Sequence, residues 1–276
     1  MKCRLLFPLA LVSLLVLPGC SIRKTAVNML GNALAAGGDT YASDEDPELV
    51  AAAVPFGLKT IESLLAQSPR HEPLLLAAVS GFTQYAYAFV QTEADYAERA
   101  DLKRATALRA RAKRLYLRAL GYGLRGLEVH HPGFREKLKT DPESVLAGMR
   151  KNEVPLLYWT AAAWAAAISI AKEDAEMAAD LGLTGKLMSR ALALDEGFGS
   201  GAIHDFLIAY EGGLPPSAGG SAKRAREHLE RALVLSNGTR AAPLVSFAEG
   251  LSVKAQDRKE FESLLARALA VDPNAR

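Results

Sequence analysis

The feature that most constrains this chain is a helix-end pattern that returns along it. A residue, small in most copies, is followed four positions later by a large apolar one, then three later by alanine or leucine, and then by a turn. Ala225, Leu229 and Ala232 lead to Ser236-Asn237, Phe261, Leu265 and Ala268 lead to Asp272-Pro273, and Thr184, Met188 and Ala191 lead to Asp195-Glu196. Ala112, Tyr116 and Ala119 keep the same spacing, as do Gly57, Ile61 and Leu64 ahead of Pro69. Offsets of four and seven put all three side chains on one helix face. The small ones let two helices approach, and the large one fills the groove between them. The spacing predicts helices over 47–67, 73–93, 99–128, 142–150, 154–172, 175–194, 200–210, 221–235, 240–252 and 258–271. No segment sustains the alternation of a strand, so the expected fold class is all-α.

The connections are short and carry Pro, Gly, Asn or Asp, as at Ser68-Pro69, His131-Pro132-Gly133, Asp141-Pro142 and Asn237-Gly238. Asp46-Pro47-Glu48 reads as an N-cap, a first-turn proline and a first-turn acid. The longest break, Glu211 to Ser221, holds Gly212-Gly213 and Pro215-Pro216 and reads as a spacer rather than a binding mouth. The run Val154 to Ala171 has no charge and meets the lower length of a membrane span. Its alanine content, the proline near its start and the Lys172-Glu173-Asp174 that follows it favour a core helix instead, one apolar on all sides.

The N-terminus reads as export machinery. Lys2 and Arg4 precede an uncharged apolar run from Leu5 to Val16, too short for a stable span and suited to a signal peptide. Leu17-Pro18-Gly19-Cys20 resembles the bacterial lipobox, whose cysteine receives diacylglycerol through a thioether. Residues 1–19 are therefore expected to be a lipoprotein signal peptide, 20–45 a lipidated N-terminus and tether with a short helical stretch, and 46–276 the helical domain. By resemblance to bacterial lipoproteins, Ser21 in place of an aspartate after the cysteine implies an outer-membrane anchor facing the periplasm. The chain has two cysteines. Cys3 leaves with the signal and Cys20 is acylated, which excludes a disulfide framework or a cysteine metal site. Loss of Lys2 and Arg4 leaves the mature chain with 31 basic and 31 acidic residues, so no global basic field points to nucleic acid.

Motifs that carry chemistry are fragmentary. Gly182 to Lys186 matches a P-loop only in part, since Asp180 stands at the first glycine and Leu187 at the magnesium-binding hydroxyl. Gly197 to Gly201 lacks the glycine spacing of a nucleophile elbow and reads as a turn feeding a helix. Neighbouring histidines at His130-His131 diverge on a helix and chelate one metal poorly. His204 and Asp205, also adjacent, do not face each other. No metal, cofactor or enzymatic site is expected. Arg104, Arg109, Arg111, Lys113, Arg114 and Arg118 form a basic helix face, read as solvated. The pointer to a ligand is aromatic. Tyr85, Tyr87, Phe89, Tyr158, Trp159, Trp164, Phe206 and Tyr210 gather on three helical regions. Tyr85, Phe89, Tyr158, Trp159, Trp164, Phe206 and Tyr210 are the candidates to line an apolar channel.

The repeated helix ends resemble the second helix of the tetratricopeptide (TPR) motif, with its closing proline. Ala191, Ala232 and Ala268 are unequally spaced, by about 41 and about 36 residues, against a period of about 34. The expectation is thus a TPR-like α-solenoid of about four to five degenerate helix-pair repeats. A lipobox, a tether and cryptic repeats in this order resemble the TRAP-transporter-associated TPR lipoproteins, the TatT family. The resemblance runs through Leu74 to Ala78, Tyr85 to Phe89, Ala112 to Leu120, Tyr158 to Trp164 and the repeats up to Pro273. It implies a non-enzymatic periplasmic protein, a homotrimer that docks a TRAP periplasmic substrate-binding protein. It also implies a hydrophobic channel for a small apolar or carboxylate ligand. The competing expectation is a TPR scaffold for outer-membrane or cell-envelope assembly that binds peptide segments; its usual concave-face asparagines are few here.

Overall fold

Capping chemistry sets where the helices start. Asp46 Oδ1 accepts from the backbone N–H of Glu48 (3.1 Å) and Leu49 (2.9 Å), and Pro47 supplies the pre-set first turn. Ser221, Asp174 and Asp257 cap later helices in the same way. The computed structural model describes residues 19–37, 40–41, 43–171 and 173–272, with side chains in the first helix from residue 25. The expected export signal before Gly19, the Cys20 side chain and the closing Pro273 lie outside the described residues. All regular structure among the described residues is helical.

The chain divides into two compact units between His130 and His131. The first contains α1 (Gly19–Ala36), α2 (Pro47–Gln67), α3 (Glu72–Ala86), a π-helical turn at Tyr87–Gln91, α4 (Thr92–Ala97) and α5 (Leu102–His130). α3 is its centre, packing on α1, α2 and α5. Leu74, Leu75, Ala78, Val79 and Phe82 of α3 are buried, together with Ala112, Tyr116 and Ala119 of α5. The helical stretch expected within 20–45 is a full 18-residue helix that packs on α2 and α3. It comes close to α3 at Gly31, where an added Cβ would stand 2.8 Å from Leu74 Cδ1.

The second unit contains α6 (Phe134–Thr140), α7 (Pro142–Ala147), α8 (Val154–Ile170), α9 (Ala175–Ala179) and α10 (Leu181–Leu194). After these come α11 (Ala202–Gly213), α12 (Ala222–Leu235), α13 (Ala242–Phe247), a second π-helical turn at Ala248–Ser252 and α14 (Arg258–Leu269). Consecutive helices stack as pairs. α8 packs on α10 and α11 on α12, while α13 touches α11, α12 and α14. The helix-end triplets lie on the packed faces: Thr184, Met188 and Ala191 are fully buried, as are Ala225 and Ala232 around Leu229.

Among the described residues, three stretches could cross a membrane by length and composition: α2, the helix running from Glu72 to Ala97, and Lys151–Ile170. The last contains α8, whose Leu156, Leu157, Ala161, Trp164 and Ala167 are buried in the second unit, so α8 is a core helix. α2 is different, with most of its apolar window left uncovered.

α6 falls in a stretch where the spacing predicts no helix. It is held by two buried side chains four apart, Phe134 and Leu138. Its start follows Gly133, whose left-handed backbone (φ 74°) suits glycine.

Candidate functional site

Among the described residues each unit carries a cavity. That of the first lies among α1, α2, α3 and the first π-turn and holds about 310 Å³. Its walls are Leu34, Ala35, Tyr41, Val50, Val54, Gly57, Leu58, Ile61, Ala77, Ser80, Gly81, Gln84, Tyr85, Ala88 and Phe89. Two glycines mark where its walls close on each other. A Cβ on Gly81 would stand 2.8 Å from Leu58 Cδ2, and one on Gly57 would stand 3.1 Å from Tyr41 Oη. Pro55, inside α2, cannot donate to the carbonyl one turn back, which loosens α2 beside the cavity wall.

The polar groups here are already engaged. Ser80 Oγ donates to Leu76 O (2.9 Å) and Gln84 Nε2 to Ser80 O (3.3 Å), which leaves a chiefly apolar lining. The π-turn inserts one extra residue and re-aims the side chains around it. It is pinned by Thr92 Oγ1 donating to Tyr87 O (2.9 Å) and by the buried Tyr116 hydroxyl donating to Gln91 Oε1 (2.7 Å). Burial pushes the Tyr116 phenol well above its usual range. Tyr85 and Phe89 meet at 5.6 Å and both line the cavity. Arg111 sits over the Tyr85 ring, 5.9 Å from its centroid, with Nη2 3.4 Å from the hydroxyl.

The basic face of α5 pairs widely with acids of neighbouring helices. Arg104 reaches Glu93 (2.5 Å) and Arg109 reaches Asp95 (3.1 Å) and Glu98 (3.0 Å). Arg118 pairs with Glu62. Burial alone would raise the Glu62 carboxyl, but Lys59, Tyr122 and Arg118 together hold it below the usual carboxylate value. These acids lie on α2 and on the α4 region, so the pairing is tertiary.

In the second unit Tyr158 packs edge-on to Trp159 (5.1 Å) and against Phe198 (5.1 Å). Its phenol is pushed up to about 12, first by burial and then by Asp205. Trp164 is buried. Phe206 stacks on Tyr210 at 6.1 Å, and Tyr210 packs so closely on Gly185 that a Cβ there would overlap its hydroxyl. Gly182 and Gly185 thus lie within the helix α10. Gly197 to Gly201 is the turn into α11, with positive φ at Gly199, Ser200 and Gly201.

The cavity of this unit is an open cleft of about 820 Å³. None of Tyr158, Trp159, Trp164, Phe206 and Tyr210 is among its lining residues. Its wall includes Glu211 to Pro216, Gly220 and Ser221, facing Phe247, Leu251 and Lys254. The segment read as a spacer is therefore one side of a cleft, held there by Lys254, whose Nζ donates to the Gly212 carbonyl. The double glycine and double proline were the visible sign of it.

The titratable residues divide as adjacency requires. His130 Nε2 lies 2.7 Å from Glu72 Oε2, whereas His131 Nε2 lies 2.6 Å from Glu153 Oε1. His204 Nδ1 faces His228 Nδ1 at 2.8 Å and its Nε2 lies 3.3 Å from Glu196 Oε1. Asp205 turns instead to Arg240 (3.1 Å) and Ser246 (3.4 Å). Burial lowers both histidines and raises Asp205 despite Arg240. The Arg231 guanidinium holds Glu196 down at about 2. Among the described residues no group of three or more His, Cys, Asp or Glu is placed to hold a metal ion.

Comparison with known proteins places the chain. It is 28% identical over 284 residues to an uncharacterized protein of Treponema pallidum (strain Nichols), covering 96% of this chain and 88% of that protein. The family model TAtT, TRAP transporter T-component, matches residues 43–276, almost all of the helical region. The chain belongs to the TRAP transporter T-component family.

Proposed function

We propose that this chain is a periplasm-facing lipoprotein scaffold that binds a TRAP-type substrate-binding protein and assists uptake of a small apolar or amphipathic organic acid. Membership of the family supports a TRAP-associated role in the cell envelope. The observation that carries the ligand is the apolar cavity of the first unit, with Tyr85 and Phe89 in its wall and the Arg111 guanidinium over Tyr85. The apolar body of the ligand enters between α2 and α3, and its carboxylate stays near Arg111 at the rim. Tyr158, Trp159, Trp164, Phe206 and Tyr210 are assigned to packing that stiffens the second unit. Stacked TPR-like helix pairs, a homotrimer and an outer-membrane anchor at Cys20 complete the reading.

Co-purification with the TRAP substrate-binding protein encoded beside it tests the partner. A stable complex is expected, and no association at roughly tens of micromolar refutes it. The cleft of the second unit, open and flanked by Pro215-Pro216 and Phe247, favours a second reading as a scaffold for an extended peptide segment. Capture of envelope-assembly proteins in place of the binding protein would select that reading.

A further inference from the structure

The first unit leaves an apolar face uncovered close to its N-terminus. Met29 is 68% and Leu30 52% exposed on α1, and Leu49 is 57% and Phe56 80% exposed on α2. Leu49 and Phe56 are two turns apart, on one helix face. No charged residue occurs from Thr25 to Gly38 or from Leu49 to Leu58. Tyr41 bridges the two helices, since its hydroxyl lies over Gly57, and it shares the cavity rim with Leu34. A water-facing helix surface ordinarily carries charges, and a contiguous apolar one marks a contact.

Its position in the chain indicates what the contact is. α1 opens at Gly19, so Met29 follows Cys20 by nine residues, about 14 Å along the helix. An acylated Cys20 would hold that end of α1 at a bilayer surface, within reach of the face. We infer that the α1–α2 face beds in the boundary between headgroups and acyl chains of the membrane that carries the anchor, so that the cavity rim at Leu34 and Tyr41 opens toward lipid. This rests on the reading of Cys20 as the lipidated residue. α2 lies in the interface and does not span it, because its opposite side is committed to the protein: Val50, Leu58, Ile61 and Leu65 are buried and Glu62 binds Tyr122 at 2.6 Å. Asp44, Glu45, Asp46 and Glu48 flank the face against Arg23, Lys24 and Lys59, so no net positive charge draws it to anionic headgroups and the contact is chiefly apolar.

The test is fluorescence of the mature, detergent-purified protein reconstituted in phosphatidylcholine vesicles with brominated acyl chains. Phe56→Trp puts a reporter on the face at an exposed site. Tyr96→Trp, at a 79% exposed position on α4 of the same unit, is the control, and the wild type supplies the signal of Trp159 and Trp164. The reporter at position 56 is expected to lose roughly half its emission, since an interfacial helix buries its apolar face at the depth of the acyl boundary. The control should be unchanged, and added salt or anionic lipid should not strengthen the quenching. Equal quenching at both positions, none at 56, or quenching that requires anionic lipid overturns the inference. Absent quenching together with disulfide pairing of Phe56→Cys between copies also overturns it, because a second copy then covers the face. The mass of the mature chain reports acylation of Cys20 separately, so loss of the anchor and loss of the docked face are distinguishable.

Discussion

The two units differ in where they place their aromatic residues. In the second, large aromatics are inside: Trp164 is buried, Tyr158 is wedged between Trp159 and Phe198, and Phe247 anchors a cluster with Leu229, Leu244 and Leu264. In the first, Phe82 and Tyr116 are buried but Phe56 and Tyr96 stand exposed, and a cavity lies beside the close contact of α2 and α3 at Gly81. Ionisable groups follow the reverse order. The first unit keeps its ion pairs chiefly at the surface of α5, whereas the second takes His204 into its interior and half-buries His228 beside it. On the proposed reading the second unit holds a shape and the first meets something apolar.

The largest effects separate the units by stability. Trp164→Ala is expected to cost about 3–5 kcal/mol, the loss of a buried aromatic with a cavity left behind. Phe56→Ser should stay within about 0.5 kcal/mol. Urea denaturation of the two variants checks both values, and a large loss at Phe56 would mean that another surface covers it. Intermediate in size, Tyr116→Phe leaves Gln91 Oε1 without its donor and should cost about 1 kcal/mol. Hydrogen exchange in Tyr87–Gln91 should rise with it.

Acid sensitivity belongs to the second unit. His204 and His228 have folded values below the ordinary value of about 6.5, so as pH falls the unfolded chain takes up protons first. The stability they contribute is present above about 6.5 and is lost as pH falls through their lowered folded values. Glu196, held at about 2 by Arg231, adds a further loss from the ordinary glutamate range down toward 2. Asp205, raised by burial, acts in the opposite sense and gains as it protonates. His228→Gln should flatten the loss that begins near 6.5, read as urea midpoints between neutral and mildly acidic pH; an unchanged slope would remove the pair from the account. The smallest effect is expected at Arg258→Ala. Its partner Glu262 is one turn away and both are exposed, so the change should stay under about 0.5 kcal/mol.

Much of the fold was legible because burial and helix period coincide. α2 runs over 47–67 as its cap and proline indicate, and Ala112, Tyr116 and Ala119 are all fully buried at their predicted spacing. What was hidden has tertiary causes. α6 carries Arg135, Lys137 and Lys139 with only two apolar anchors, too few to show a period. The π-turn at Tyr87–Gln91 is fixed by the hydroxyl of Tyr116 from α5, which no local pattern announces. The basic face of α5 is solvated as read, with Arg104, Arg111, Arg114 and Arg118 exposed, but its ion pairing was hidden because the acids lie eleven or more residues away. The cavity was half legible. Tyr85 and Phe89 stood out as aromatics, while Tyr41, Gly57 and Gly81 become wall residues only once α1, α2 and α3 meet.

The central claim is that the apolar ligand is received by the first unit. Calorimetric titration of a medium-chain monocarboxylate into the wild type, Ala88→Phe and Lys254→Ala tests it most directly. Ala88 lines the first cavity and Lys254 the second cleft. Binding by the wild type is expected, with a loss of roughly tenfold or more when phenylalanine fills the cavity and no change on removing the lysine. Binding that survives Ala88→Phe and disappears with Lys254→Ala would contradict it and move the ligand to the second unit.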